Sequence, residues 1–574
     1  MTAIEHAAKA VGIVDFLETA GGRLTSHQIL ETLTATEPAF SKLQKGQKSL
    51  LWEITSSLLA LLNLLARARD EILEAIVGNQ TVLRLLFRLA ATDIAPQEIF
   101  EEALSCLMTL SEDNLQLGQA MTNDQETQCY DVLLKLATGT GPRAVLSCGV
   151  LHNVFSSLQW LDHSPGKDGA CDAVIIPTLA RALAQVTPSS ADTNGGWSQA
   201  GITQVALEIL ASIGTDFQQT LEKGNRAPSG PAKTDEEWGG FDDAGGDAMD
   251  VDNGSDAESE EEDDDEGEED DEEEEGDDDS VNSDLEADMD LVTGEEGSGA
   301  GDLGDLPTLR ELIQDAVPQL IRLSNIPVDS EDTLAIQSHA LSALSNIAWT
   351  ISCVEFANGE NAHIRHAWHP TAKRIWRKTI APILEADSAD LKLATQATSL
   401  AWAVARALHG ETPADGAAHR KFIALYHASK SSQTQQQQQP QQQDSSEAQD
   451  PFQGLGVKCI GVLGSLARDP APIEVNRDVG VFLVTLLGGT TPVADVVEAL
   501  SQLFDLYGDK DAPCDREVFW KDGLLKHFEG FVPALKGLAK GVNMRTQGEL
   551  RTRADEALVN LRRFVQYKKK HAPK

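Results

Sequence analysis

The sequence predicts an all-α protein: an ARM/HEAT-repeat α-solenoid carrying a long disordered acidic insertion. Three observations predict it. A short Leu/Ala motif recurs along the chain, the length exceeds what one core supports, and a single segment holds most of the net charge.

The motif is clearest in Ala103-Leu-Ser-Cys-Leu-Met-Thr-Leu110, Ala206-Leu-Glu-Ile-Leu-Ala-Ser-Ile213, Ala340-Leu-Ser-Ala-Leu-Ser-Asn-Ile-Ala-Trp349 and Ala499-Leu-Ser-Gln-Leu-Phe-Asp-Leu506. Looser copies stand at 59–66, 145–155, 459–466 and 557–561. Its apolar residues fall three and four apart, on one helix face. Small Ala, Ser and Gly residues beside them let a neighbouring helix come close. Several copies lie about 40–50 residues apart, the length of a two- or three-helix ARM or HEAT unit, which predicts about eight to ten repeats. One helical hairpin cannot bury its apolar face alone, so such units stack. Pro and Gly at Thr140-Gly-Pro142, Ile176-Pro177 and Ala381-Pro382 mark expected connections between helices.

Length and composition agree with an array. Single cores stop growing near ~250–300 residues, and this chain has 574. Hydrophobic residues make up 41%, enough to fold, but aromatics only 5%, so Leu and Ala must fill the core, as in stacked helices. The longest apolar runs fall short of the ~20 residues that span a bilayer, and the N-terminus lacks the basic and apolar regions of a secretory signal. Seven cysteines are scattered without a CxxC pair, which predicts reduced, buried thiols in a cytosolic or nuclear protein.

The net charge of −45 is concentrated in one place. Residues 235–296 hold 34 Asp and Glu and no Lys or Arg, leaving −11 on the other 512 residues. With so few large apolar groups, 224–305 cannot offset the entropy of ordering and is expected to be disordered. The expected organisation is N-terminal ARM-like repeats over 1–223, the acidic loop over 224–305, ARM/HEAT-like repeats over 306–428, a disordered Gln-rich loop over 429–451, and C-terminal HEAT-like repeats over 452–574.

No enzyme motif is present: neither a phosphate loop, a dinucleotide fingerprint, a nucleophile elbow nor HExxH. A disordered acidic run cannot hold two carboxylates at catalytic separation. His363-Ile-Arg-His-Ala-Trp-His369 is the nearest metal-like cluster, but no cysteine or carboxylate completes four ligands. Pro370 and Arg365 make it a repeat-connecting turn in this reading. No cofactor and no metal are expected.

Binding is the chemistry that remains. Within 252–279, 21 of 28 residues are Asp or Glu, including Glu260, Glu261, Glu262, Asp263, Asp264 and Asp265. Such a run attracts basic proteins over long range and repels nucleic acid; as a bland alternative it only solubilises. Large apolar groups at its flank, Trp238, Phe241 and Met249, are candidate anchors onto a partner. A second candidate is the repeat groove, where Asn63, Asn153 and Asn346 recur at one motif position. Their amides suit an extended peptide backbone, and Trp349 and Trp402 offer faces for basic side chains. Against that stands the reading in which the Asn residues bond neighbouring helices and both tryptophans are core. Two basic stretches, Lys373–Lys378 and Arg562–Lys570, are ordinary solvated helix faces, nuclear-localisation signals or RNA contacts.

The layout resembles the symportin family of fungal co-import adaptors. The resemblance is carried by Ala340-Leu-Ser-Ala-Leu-Ser-Asn-Ile-Ala-Trp-Thr350, Glu498-Ala-Leu-Ser-Gln-Leu-Phe-Asp-Leu-Tyr-Gly-Asp509 and Ala557-Leu-Val-Asn-Leu-Arg-Arg-Phe-Val-Gln-Tyr-Lys568. It implies a non-catalytic chaperone and nuclear import adaptor for the two large-subunit ribosomal proteins that accompany 5S rRNA. It also implies shuttling between nucleus and cytoplasm and work with a nuclear transport receptor. The family opens with a basic segment bearing a Pro-Tyr import signal, whereas this chain has no Pro-Tyr dipeptide, so cargo binding is the firmer implication. A monomer without direct nucleic-acid or membrane binding is expected. A histone chaperone or an importin-like receptor would suit the acidic run and the repeats as alternatives.

Overall fold

The computed structural model describes residues 44–91, 95–186, 197–224, 303–356, 359–386, 390–414, 416–436, 450–488 and 490–573. Among these, every regular element is helical, and the one β pairing is an isolated bridge between Leu161 and Ser164. The fold is an all-α solenoid. The described residues fall into two compact units, one ending at Phe482 and the other beginning at Leu483.

The first unit opens with α1 (Lys45–Ala66), α2 (Asp70–Gly78), α3 (Gln80–Ala91) and α4 (Gln97–Ser111). Next come α5 (Leu115–Thr122), α6 (Cys129–Ala137), α7 (Pro142–Leu158), α8 (Ile176–Ala184) and α9 (Gln199–Gly224). Beyond the acidic segment, α10 (Pro307–Glu311) runs through a π-helical turn into α11 (Val317–Ser324), followed by α12 (Glu331–Ser352). Then α13 (Ala362–Ile375) passes through a second π-helical turn into α14 (Ala381–Glu385). The rest are α15 (Leu391–Leu408), α16 (Ala418–Gln436) and α17 (Leu455–Leu466), and the unit's boundary at Phe482 falls within α18 (Ile473–Leu486).

One row organises this unit. α1, α4, α7, α9, α12, α15 and α17 pack in that order, each against the next, and all of them but α15 carry a copy of the recurrent motif. Side-chain bonds along the row advance together, Ser56 to Glu102 and Arg67 to Thr109, then Met108 to Asn153 and Ser111 to Ser157. Neighbours in the ladder therefore run in the same direction. The motif's apolar positions are its core: Ala103, Leu104, Leu107 and Leu110 in α4 and Ala340, Leu341, Leu344 and Ile347 in α12 are all buried. The small residues act as expected. A Cβ at Gly214 of α9 would come within 2.7 Å of Ile347 of α12, so these two helices meet at a distance only glycine permits.

Local signals start the helices. Ser330 caps α12, its hydroxyl accepting from the Thr333 amide while Thr333 reaches back. Asp390 accepts from the Lys392 and Leu393 amides at the start of α15, and Pro142 opens α7.

Several expectations are corrected. Residues His363–His369 form no turn; they lie inside α13, held by buried Ile364, Trp368, Ala372 and Ile375, with Pro370 tolerated mid-helix. Ala381-Pro382 likewise joins no two repeats, because Pro382 sits in the first turn of α14, which continues from α13 through the π-helical turn. Residues 429–436, expected to lie in the Gln-rich loop, are instead the end of α16, which extends to Gln436; Gln is a good helix former. Of the seven free cysteines six are buried, but Cys353 is exposed. Burial pushes the thiols of Cys106, Cys148 and Cys171 up to about 12. In α1, the stretch Lys48–Ala66 is long and apolar enough by composition to cross a membrane; here Leu59, Leu62 and Leu65 are buried and α1 packs on α4.

The second unit holds α19 (Val493–Tyr507), a π-helical turn (Asp515–Trp520), α20 (Leu525–Gly541) and α21 (Gly548–Lys570). Phe504, Phe519, Phe528 and Phe564 form its core, with ring centres 5.1–5.8 Å apart. Lys568 is buried among these rings and bonds Asp515, while Lys569 pairs with Glu529 at 2.8 Å. The stretch Arg562–Lys570 is therefore not simply a solvated basic face.

Candidate functional site

The ladder brings three of the sequence candidates together. Asn346 and Trp349 lie three residues apart on α12, and Trp402 of α15 meets Trp349 edge to face, with ring centres 5.1 Å apart. Trp402 lies over Gly461 of α17, where a Cβ would approach the indole to 2.1 Å. Both tryptophans are partly exposed, so they form a wall that is neither core nor free surface.

The amides of this row are turned along the ladder. Asn346 Nδ2 donates to the Ala211 carbonyl and to Thr215 Oγ1 of α9, both at 3.1 Å. Asn153 Nδ2 donates to the Met108 carbonyl at 2.8 Å and to Ser111 Oγ at 3.2 Å on α4. In both cases the donors serve the preceding ladder helix, and Oδ1 is what remains for a partner. Asn63 sits on α1, the first described helix of the row, and among the described residues its buried Oδ1 has no hydrogen-bond partner. Asn63 and Asn153 stand on other helices, apart from the pair of tryptophans. Trp238, Phe241, Met249, Glu260, Glu261, Glu262, Asp263, Asp264 and Asp265 lie outside the described residues.

Other members of the row escaped the sequence reading. His152 of α7 is buried, with Nδ1 2.9 Å from Asp172 and Nε2 2.9 Å from Ser212 of α9. Burial opposes its charge, but Asp172 and then Asp216 outweigh it, and its pKa is raised. Asp216 accepts from Ser156 at 2.5 Å, and Asp162 accepts from the backbone and hydroxyl of Thr308 at 3.0 and 2.6 Å. The cleft lined by Trp160, Asp162, Asp172, Asp216 and Phe217 thus has its carboxylates engaged by neighbouring side chains and backbone. Among the described residues no group of His, Cys, Asp or Glu is placed to hold a metal. Arg406, one turn beyond Trp402, lays its guanidinium over Trp349 at 5.4 Å. The sequence signals for these were an Arg four residues after a Trp in α15 and a Gly-rich run, Cys459–Gly464, in α17.

A motif-bearing ladder of parallel helices with a polar and aromatic row defines the protein as an α-solenoid of stacked helical repeats. A family model described as SYO1-like, TPR repeats, matches residues 314–572. Symportin 1 of Chaetomium thermophilum is 67% identical over the whole of this chain and 82% of its own length. The armadillo repeat protein involved in nucleocytoplasmic transport Syo2 of Schizosaccharomyces pombe is 26% identical over 50% of this chain and 42% of its own. Among solved structures, a chain of the Kap95:Nup1 complex superposes with a TM-score of 0.39 at 11% identity, covering 98% of this chain and 55% of that one. The chain belongs to the symportin family.

Proposed function

We propose that this protein is a non-catalytic nuclear import adaptor and chaperone for the basic large-subunit ribosomal proteins that accompany 5S rRNA, acting in ribosome biogenesis and shuttling between nucleus and cytoplasm. The observation that carries the reading is 67% identity, over the whole of this chain, to a symportin. A more distant relative named for nucleocytoplasmic transport points the same way. Physical chemistry supplies the rest. Unassembled ribosomal proteins are strongly basic and bind RNA without selection; an acidic segment with 34 carboxylates over 235–296 screens that charge. Trp238, Phe241 and Met249 would anchor cargo to that segment, with Glu260–Asp265 supplying charge. The ladder face around Asn346, Trp349 and Trp402 would grip an extended segment of cargo.

Affinity capture from nuclear and cytosolic extract tests this, with the intact chain beside a version lacking residues 235–296. The reading expects the 5S-associated ribosomal proteins with the intact chain and loss of at least one on deletion. Recovery of histones in their place, or of the same partners with and without the segment, overturns the cargo assignment. Cargo release by the nuclear transport GTPase would instead mark an importin-like receptor.

A further inference from the structure

Among the described residues, Arg406 is a cation without an acceptor. Its side chain has no hydrogen-bond or ion-pair partner there, and its guanidinium carbon lies over the Trp349 ring, 5.4 Å from the ring centre. Glu411, five residues further along the chain, is already committed: it lies 2.8 Å from Arg365, 3.6 Å from His369 and 3.8 Å from Lys373. His409, one turn further on, adds no charge at neutral pH, because burial and then the nearby Arg468 and Arg365 drive it down to about 4. Arg406 also sits in the last turn of α15, where the helix carbonyls favour a cation. A guanidinium stacked on an indole keeps its edge of N–H donors free and loses little further entropy on pairing.

We propose that Arg406, laid on Trp349, is a carboxylate-binding residue of the ladder face, taking the side chain of one Asp or Glu in the polypeptide bound beside Asn346 and Trp402. The assignment rests on the reading that this face binds polypeptide. Its role is register. A basic cargo is gathered by charge from a distance, and that attraction is indifferent to where along the cargo contact is made. An isolated acidic residue met by a planar guanidinium fork fixes the position. The same geometry would accept a phosphate, but a nucleic acid brings many phosphates towards a chain of net charge −45, whereas a polypeptide brings a single carboxylate.

The test is fluorescence anisotropy with the full chain and two sets of short labelled peptides at physiological salt. One set tiles the 5S-associated ribosomal proteins, with each Asp or Glu also changed to Asn or Gln; the other is designed from Lys, Leu and Gly around one central Glu or Gln. The intact chain should prefer the Glu form by about tenfold. Arg406→Gln should abolish that preference and Arg406→Lys should keep part of it, both with unchanged thermal unfolding. No Glu preference in either set, or a preference that survives Arg406→Gln, overturns the proposal. Arg406-dependent binding of a short oligouridylate without a Glu preference overturns it in favour of phosphate. Failure of the ribosomal tiles alone, with the preference intact in the designed set, sinks the cargo reading and leaves Arg406 as assigned.

Discussion

Lys568 Nζ lies 2.5 Å from Asp515 Oδ1 in the aromatic core of the second unit; the lysine side chain is wholly buried and the aspartate 5% exposed. Burial lowers the lysine pKa and raises that of the aspartate, each offset by the bond to the other. Asp515 also accepts from Trp520 Nε1 at 2.9 Å, and Lys568 lies over Phe519 and Phe564. The pair therefore joins the π-helical turn to the last helix.

Removing one partner leaves a buried charge unpaired. Lys568→Ala should destabilise the second unit by about 3–5 kcal/mol, whereas Lys568→Met combined with Asp515→Leu should cost much less. Hydrogen exchange across α21 reads the difference. Equal protection in Lys568→Ala and the wild type would show that the pair carries no stability.

Gly461 is set by Trp402. Because a Cβ there would lie 2.1 Å from the indole, Gly461→Ala must shift either α17 or the ring, at a cost of about 1–3 kcal/mol. The shift also moves Trp402 against Trp349, so denaturation midpoint and tryptophan emission should change together. A stable variant with native emission would mean that the ladder opens easily at this joint.

The fold was largely legible because the ladder repeats its own signal: the same Leu and Ala positions that recur in sequence at Ala103, Ala206 and Ala340 are the buried ones. Asn153 and Asn346 were legible as equivalent positions. Which way their amides face was not, since the acceptors stand 45 and 135 residues earlier, the second across the acidic segment. Lys568 misled for the same reason. In a run of three lysines nothing local marks one as buried; only Asp515, 53 residues away, does so. Pro370 misled through a local rule, because the buried face of α13 outweighs the lost backbone hydrogen bond.

His152 makes the α7–α9 joint depend on pH. Its folded pKa is raised above the unfolded value near ~6.5. The sign follows: its contribution is fully present below the unfolded pKa and is lost as pH rises through the higher folded pKa. The stability gap between wild type and His152→Gln should therefore be widest in mild acid and shrink towards alkaline pH. Thermal unfolding across that range measures it, and a gap that widens with pH would contradict the bonds to Asp172 and Ser212.

Asn346 separates architecture from recognition at one position. Its amide ties α12 to α9, two helices that the acidic segment divides in sequence, through Ala211 and Thr215. Asn346→Ala removes two donors and leaves the Ala211 carbonyl without its side-chain bond, a loss of about 1–2 kcal/mol. Faster hydrogen exchange should appear in α9 and α12 together, because the ladder transmits stability between nearest neighbours. If cargo affinity falls only as far as this loosening explains, the amide acts through the ladder. A larger fall, with exchange unchanged, would mean that Asn346 turns its amide to the cargo when cargo binds.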